Sequence, residues 1–158
     1  MPADAVSLAE DAKWSRATFR VWSHDVPPES IGDTLGLRPT KLLRKGEPVS
    51  KRSNALRKEH GIQIESALPT SEPLERHLDS LCDLLEPVAS KLEAITRSCE
   101  YDIHCGFSSG NGQGGFTLNP NLLSRLAALR IELVVDLYPP TTAEAEAAPA
   151  AGADRAGG

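Results

Sequence analysis

The chain has 158 residues, 40% hydrophobic, 25% charged and only 4% aromatic, a make-up that fits one ordinary globular domain and excludes fibrous or wholly disordered classes. The acidic start, MPADAVSLAEDAKW, has no apolar core of signal-peptide length, and nowhere do about 18 apolar residues run together, so a cytoplasmic protein of bacterial type with no membrane partner is expected. The formal charge of −5 argues against a general nucleic-acid coat, yet it is unevenly spread: Arg38 to Lys58 carries eight basic residues against Glu47 alone, a local anion-attracting segment.

Residues 1–14 show no periodicity and are read as a disordered tail, with a single α+β domain over 15–138. Within RATFRVWS, Ala17, Phe19 and Val21 alternate with Thr18, Arg20 and Trp22, the period of a strand with two unlike faces. Two prolines then open a short helix from Pro28 to Leu35, with Gly36 placed for a left-handed cap. Arg38-Pro39 stops it, because the residue before a proline disfavours helical geometry. From Thr40 to Lys58 no period survives, and the segment reads as a long basic loop. Ile62 and Ile64, alternating with Gln63 and Glu65, mark a second strand.

Ser71, ahead of Glu72-Pro73, is placed to cap a long helix. Its apolar stripe runs through Leu74, Leu78, Leu81, Leu85, Val88, Leu92 and Ile95. Pro87 falls inside that stripe, where it removes a backbone bond, so a kink or break is expected near Leu85–Glu86. Tyr101, Ile103, Cys105 and Phe107 form the next apolar alternation, with Asp102, His104 and Ser108 opposite. The glycine-rich GNGQGG is read as a hairpin turn, with Phe116–Leu118 returning as a short strand. Asn119-Pro120 starts a helix, and IELVVDLY closes the fold, Ile131, Leu133, Val135 and Leu137 on one face. Residues 139–158, rich in Ala, Pro and Gly, are read as a second disordered tail. The expected order is β-α-β-α-β-β-α-β: a single mixed, mostly antiparallel sheet with helices packed on one face, partly ferredoxin-like.

Gly110, Gly112 and Gly115 spell G-x-G-x-x-G, but a phosphate cradle needs that run to open a helix; here the expected continuation is a strand. Three cysteines, Cys82, Cys99 and Cys105, are an odd set without the two-residue gap of a zinc knuckle, so reduced thiols, no metal and no cofactor are expected. Cys82 and Cys105 fall on apolar faces, as small hydrophobes.

The outward strand residues bear the functional expectations. Arg20, Trp22 and Tyr138 are the kinds of side chain that anchor protein interfaces, and Arg44, Lys45 and Arg52 would extend such a surface into the basic loop. The leading expectation is a non-enzymatic protein-interaction domain. Two alternatives stay open: nucleic-acid or other polyanion binding through 38–58, and a hydrolase using Asp102, His104 and Asp136.

The succession of RATFRVWS, VPPESIGDTLGLRPT, LLRKGEP, PLERHLDSLCDLLEP and the stretch from Tyr101 to Tyr138 resembles the bacterial family of domains of unknown function called DUF4279. The resemblance rests on Leu35-Gly36-Leu37, Pro39-Thr40, Lys45-Gly46, Leu85-Glu86-Pro87, and Leu118 with Pro120 after the glycines. Such sequences often carry a tryptophan where Ile62-Gln63-Ile64 stands here. The family implies no reaction and no catalytic residue, and in size and make-up the domain is similar to immunity-type proteins of bacterial toxin systems.

Overall fold

The computed structural model describes residues 13–110 and 112–138. Five strands form one mixed sheet: β1 (Trp14–Ser23), β2 (Lys41–Leu43), β3 (His60–Glu65), β4 (Glu100–Ser108) and β5 (Glu132–Leu137), in the spatial order β2-β3-β1-β4-β5. β1 is antiparallel to both β3 and β4, and β2 to β3, while β4 and β5 run parallel. The parallel pair is joined through a helix, as parallel neighbours require. The helices are α1 (Pro28–Leu35), α2 (Leu74–Leu85), α3 (Ala89–Ile95) and α4 (Pro120–Ala128). Of the expected tails, residues 1–12 and 139–158 lie outside the described residues; Trp14, assigned to the first tail, is instead the first residue of β1.

One face of the sheet carries the core. Ala17, Phe19 and Val21 of β1, Ile62 and Ile64 of β3, and Ile103 and Cys105 of β4 are buried together with Ile31, Leu35, Leu78, Leu81, Leu85, Leu92, Leu122 and Leu126 of the helices. Each fully buried Leu, Ile or Phe in that layer contributes about 1.5–3 kcal/mol of transfer free energy. Gly36 does adopt a positive φ, 68°, and its N–H reaches back to the Asp33 carbonyl, which ends α1. The long stripe breaks at the proline: α2 stops at Leu85, Glu86–Val88 is a 3₁₀ turn, and α3 restarts at Ala89. Asn119 Oδ1 accepts from the Leu122 N–H at 2.9 Å and caps α4.

Three expectations are corrected. Ser71 does not cap α2; Pro73 occupies the cap position with no side-chain bond, and Pro73 O takes the first N–H groups, from Arg76 and His77. The return strand at Phe116–Leu118 does not form, because β4 lies between β1 and β5 and has no free edge to offer it; residues 113–119 run without regular structure into α4, while Phe116 and Leu118 still pack on the core. The segment 38–58 is more ordered than a loop. It contains β2, followed by a narrow ribbon in which Pro48 bridges Leu56, with bonds from Gly46 N to Arg57 O, Val49 N to Ala55 O and Arg57 N to Glu47 O. The observed order is therefore β-α-β-β-α-α-β-α-β, counting the two halves of the broken helix.

Candidate binding face

No helix covers the other face of the sheet among the described residues. Strand alternation sends Trp14, Arg16, Thr18, Arg20 and Trp22 to that side along the whole length of β1. Gln63 and Glu65 join from β3, Asp102 and His104 from β4, and Glu132 and Asp136 from β5, through the registers Arg20↔Gln63, Arg20↔Asp102, Thr18↔His104 and Asp102↔Glu132. The expectation that these outward residues share one sheet face is met.

Their side chains are tied into three groups. Near the middle, Arg20 grips Asp102 with two bonds, Nε to Oδ1 at 2.8 Å and Nη2 to Oδ2 at 2.6 Å, a bidentate pairing in which both partners hold one geometry. The carboxylate raises the guanidinium's already high pKa, against the opposing effect of burial, and Asp136 adds to the rise. The same guanidinium lies 5.5 Å from the Trp22 ring centre, while Trp22 Nε1 donates to Glu100 Oε2 at 3.0 Å. Asp102 thus fixes Arg20, and Arg20 with Glu100 fixes the indole.

Next to it, His104 Nε2 meets Asp136 Oδ2 at 2.6 Å. A depression of about 230 Å³ lies alongside, lined by Arg16, Thr18, Arg20, Gln63, Glu65 and His104. The three candidate catalytic residues are therefore divided: His104 pairs with Asp136, and Asp102 is committed to Arg20. Cys105 beside them points into the core, where burial pushes its thiol up to about 12, and Cys82 is likewise raised to about 11; neither is a thiolate at neutral pH.

The third group closes the opposite end. The rings of Trp14 and Tyr138 are 5.0 Å apart, Arg16 sits 5.4 and 5.6 Å from their centres, and Arg16 Nη2 donates to Tyr138 Oη at 3.0 Å. Gly106 makes room for this arrangement: a Cβ there would come within 3.0 Å of Arg16 Nε and 3.1 Å of Trp14 Cζ3.

The ribbon adds what the strands alone lack. Val49, Ala55, Leu56, Arg57 and Lys58 of the ribbon, with Glu59 after it, line a cleft of about 540 Å³ together with Arg20, Trp22, Leu43 and Gln63 of the sheet. Its walls are apolar at Trp22, Leu43, Val49 and Leu56 and cationic at Arg57 and Lys58, with Glu59 the one acidic residue in the lining. Arg57 spends one donor on Val49 O at 2.9 Å, whereas Lys58 makes no ion pair among the described residues. A second depression of about 370 Å³, lined by Ser23, His24, Asp25 and Thr96–Glu100, begins on the far side of Trp22, so the indole borders two hollows.

Of the basic residues singled out earlier, Arg44 is paired with Glu29 of α1 and Lys45 Nζ lies 3.1 Å from His24 Nε2. Both anchor the base of the ribbon and do not line the cleft; Arg52 is exposed at its tip. Trp14, Arg16, Leu43, Leu56 and Lys58 were not singled out from sequence. A signal existed for the first two, since the alternation of β1 extends back through Arg16 to Trp14 without a break. Nothing local announced the others.

A model of the family described as a domain of unknown function, DUF4279, matches residues 12–140. The chain belongs to this family. No curated protein and no solved structure matches it, so the family supplies a fold-length unit without an activity. No described helix is long and apolar enough to cross a membrane.

Proposed function

We propose that this DUF4279 domain is a protein-binding module, and that the cleft between the open sheet face and the basic ribbon receives an acidic segment carrying an apolar or aromatic side chain. The carrying observation is the cleft itself: it brings the indole of Trp22, two aliphatic walls and the cations of Arg57 and Lys58 around one space of about 540 Å³. An apolar pocket with a few placed polar groups is the usual form of a recognition site, and Trp and Arg are the side chains over-represented among binding hot spots. The pre-ordering of Trp22 by Arg20 and Glu100 lowers the entropy cost of binding.

The arrangement supports this reading better than the alternatives. An extended polyanion crossing from the ribbon onto the sheet would meet Glu65, Glu100, Glu132 and Asp136, all exposed, and like charges repel it. Acid–base chemistry by Asp102, His104 and Asp136 together would require Asp102 to leave Arg20.

Selection from a random displayed-peptide library tests the proposal. Enriched peptides are expected to combine Asp or Glu with a neighbouring aromatic or aliphatic residue, and Trp22→Ala should weaken them roughly 30-fold, the scale of a hot-spot truncation. Lys58→Glu should weaken them as well. No enrichment, or peptides indifferent to both substitutions, overturns the proposal. Steeply salt-dependent binding of DNA or RNA probes that ignores Trp22→Ala would place the function with polyanions instead.

A further inference from the structure

The two edges of the sheet are unlike. β2, at one edge, is three residues long and begins with an exposed lysine, a common way of blunting an edge. β5, at the other, is six residues, ELVVDL, with no lysine, arginine or proline, and among the described residues no strand pairs with its free side. Its apolar side chains are poorly covered: Val135 is 37% exposed and Leu137 75%.

The backbone groups that face outward follow from the register. Leu137 stands opposite Phe107 and the Tyr138 N–H bonds to Phe107 O at 2.9 Å, so the even-numbered residues turn their N–H and C=O to β4. Leu133, Val135 and Leu137 turn theirs to the free edge, since both groups of one residue point the same way in a strand. In an antiparallel ladder, residues that exchange both bonds sit directly opposite one another. Self-pairing of β5 must therefore oppose odd-numbered residues, and overlap and charge together select among the few registers this allows. A centre at Leu133 pairs only the first half of the strand and runs into the turn at Arg130, whose φ is 53°. A centre at Val134 sets Glu132 against the partner's Asp136, and a centre at Asp136 sets that carboxylate against its own copy, both repulsive. A centre at Val135 opposes Val135 to the partner's Val135 and Leu133 to the partner's Leu137. Val134 then faces the partner's Asp136, and Glu132 faces the partner's Tyr138, with no like charges opposed.

From this we infer that β5 is a homodimerisation edge, pairing antiparallel with a second copy of the chain about a two-fold axis at Val135 and making a continuous ten-stranded sheet. The interface is isologous, the commonest closed symmetry, and the pairing removes the unprotected edge. The two-fold is normal to the sheet, so both open faces look the same way and the dimer presents two Trp22 clefts on one side. Dimerisation does not depend on what those clefts bind.

Sedimentation equilibrium of the full chain should give twice the chain mass. Val135→Pro removes only an outward-facing N–H, at an edge position where proline is tolerated, and should return the protein to the chain mass with its far-UV circular dichroism intact. Leu137→Lys, at a site already open to solvent, should do the same, and it decides the matter if the proline variant fails to fold. Val135→Cys, made in a Cys105→Ala background because Cys105 is the neighbour of Val135 across β4, tests the register: hydrogen-bonded pairs place Cα atoms about 5.5 Å apart, within the span a disulfide bridges, and Cys82 and Cys99 are buried. Oxidised Val135→Cys should run as a covalent dimer while Val134→Cys does not. A wild-type chain that stays at its own mass up to near-millimolar concentration overturns the inference. So does a dimer that survives both edge substitutions, or one that cross-links through 134 and not 135.

Discussion

Replacing Arg20 by Met should be among the more damaging substitutions on the open face, although Arg20 is not in the core. Its partner Asp102 is only 4% exposed, and the pair is held by two charge-assisted bonds. Methionine keeps most of the aliphatic volume but leaves a buried carboxylate between β1 and β4 without its cation. For a fully buried pair that loss costs about 3–5 kcal/mol. Arg20 is 31% exposed, water reaches the site from the open side, and the figure falls to about 2–3 kcal/mol. In a domain of this size that lowers the melting temperature by roughly 8 °C. Urea unfolding followed by far-UV circular dichroism measures it, while tryptophan fluorescence in a Trp14→Phe background, which leaves Trp22 as the single tryptophan, reports on the indole losing the guanidinium above its ring. Removing both charges, Arg20→Met with Asp102→Leu, should recover most of the loss, since an apolar pair has nothing left unsatisfied. If Arg20→Met costs under about 0.5 kcal/mol, or if the two substitutions simply add, the pair does not hold the face as argued.

Two further outcomes follow from buried groups of other kinds. His77 on α2 is 1% exposed, its Nε2 meets no partner among the described residues, and burial holds its imidazole below the ordinary range. The unfolded chain then takes up the proton first, so His77 removes stability as the pH falls through the unfolded value of about 6.5. His77→Leu should flatten the decline in urea midpoint between about pH 7.5 and 5 relative to wild type, and an unchanged decline refutes the assignment. Gly61→Ala should destabilise by about 2 kcal/mol, because its Cβ would lie 2.8 Å from the Val21 carbonyl oxygen and β1 and β3 would have to part. Gly115→Ala, with nothing within 4 Å, should shift the urea midpoint by almost nothing, and equal effects at the two sites would contradict the packing described.

Much of the fold was legible because its signals are local. The alternation of Ala17, Phe19 and Val21 against Arg20 and Trp22 reflects the two-residue period of any strand and correctly separated core face from open face. Gly36, Pro87 and Asn119 acted where their backbone chemistry said they would, ending α1, breaking the long stripe and capping α4. Ser71 misled because a hydroxyl near a helix start is only one way to satisfy its first N–H groups, and here the carbonyl of Pro73 accepts the N–H groups of Arg76 and His77.

Strand neighbours were another matter. Phe116-Thr117-Leu118 has the letters of a strand, but a strand needs an edge, and β1 and β5 occupy both edges of β4. Lys41–Leu43 has no convincing pattern, yet pairs with β3, because the energy of that pairing lies in the partner and not in the three residues. The candidate site shows the same division. The sequence alone assigned Arg20, Trp22, Asp102 and His104 to one face, since that follows from chain geometry within a few residues. Only the tertiary structure decided that Asp102 belongs to Arg20 and not to His104, that Trp14 and Tyr138 close one end of the face, and that the ribbon lays Leu56 and Lys58 opposite Trp22, because those neighbours are chosen by contacts between distant segments that no local window contains.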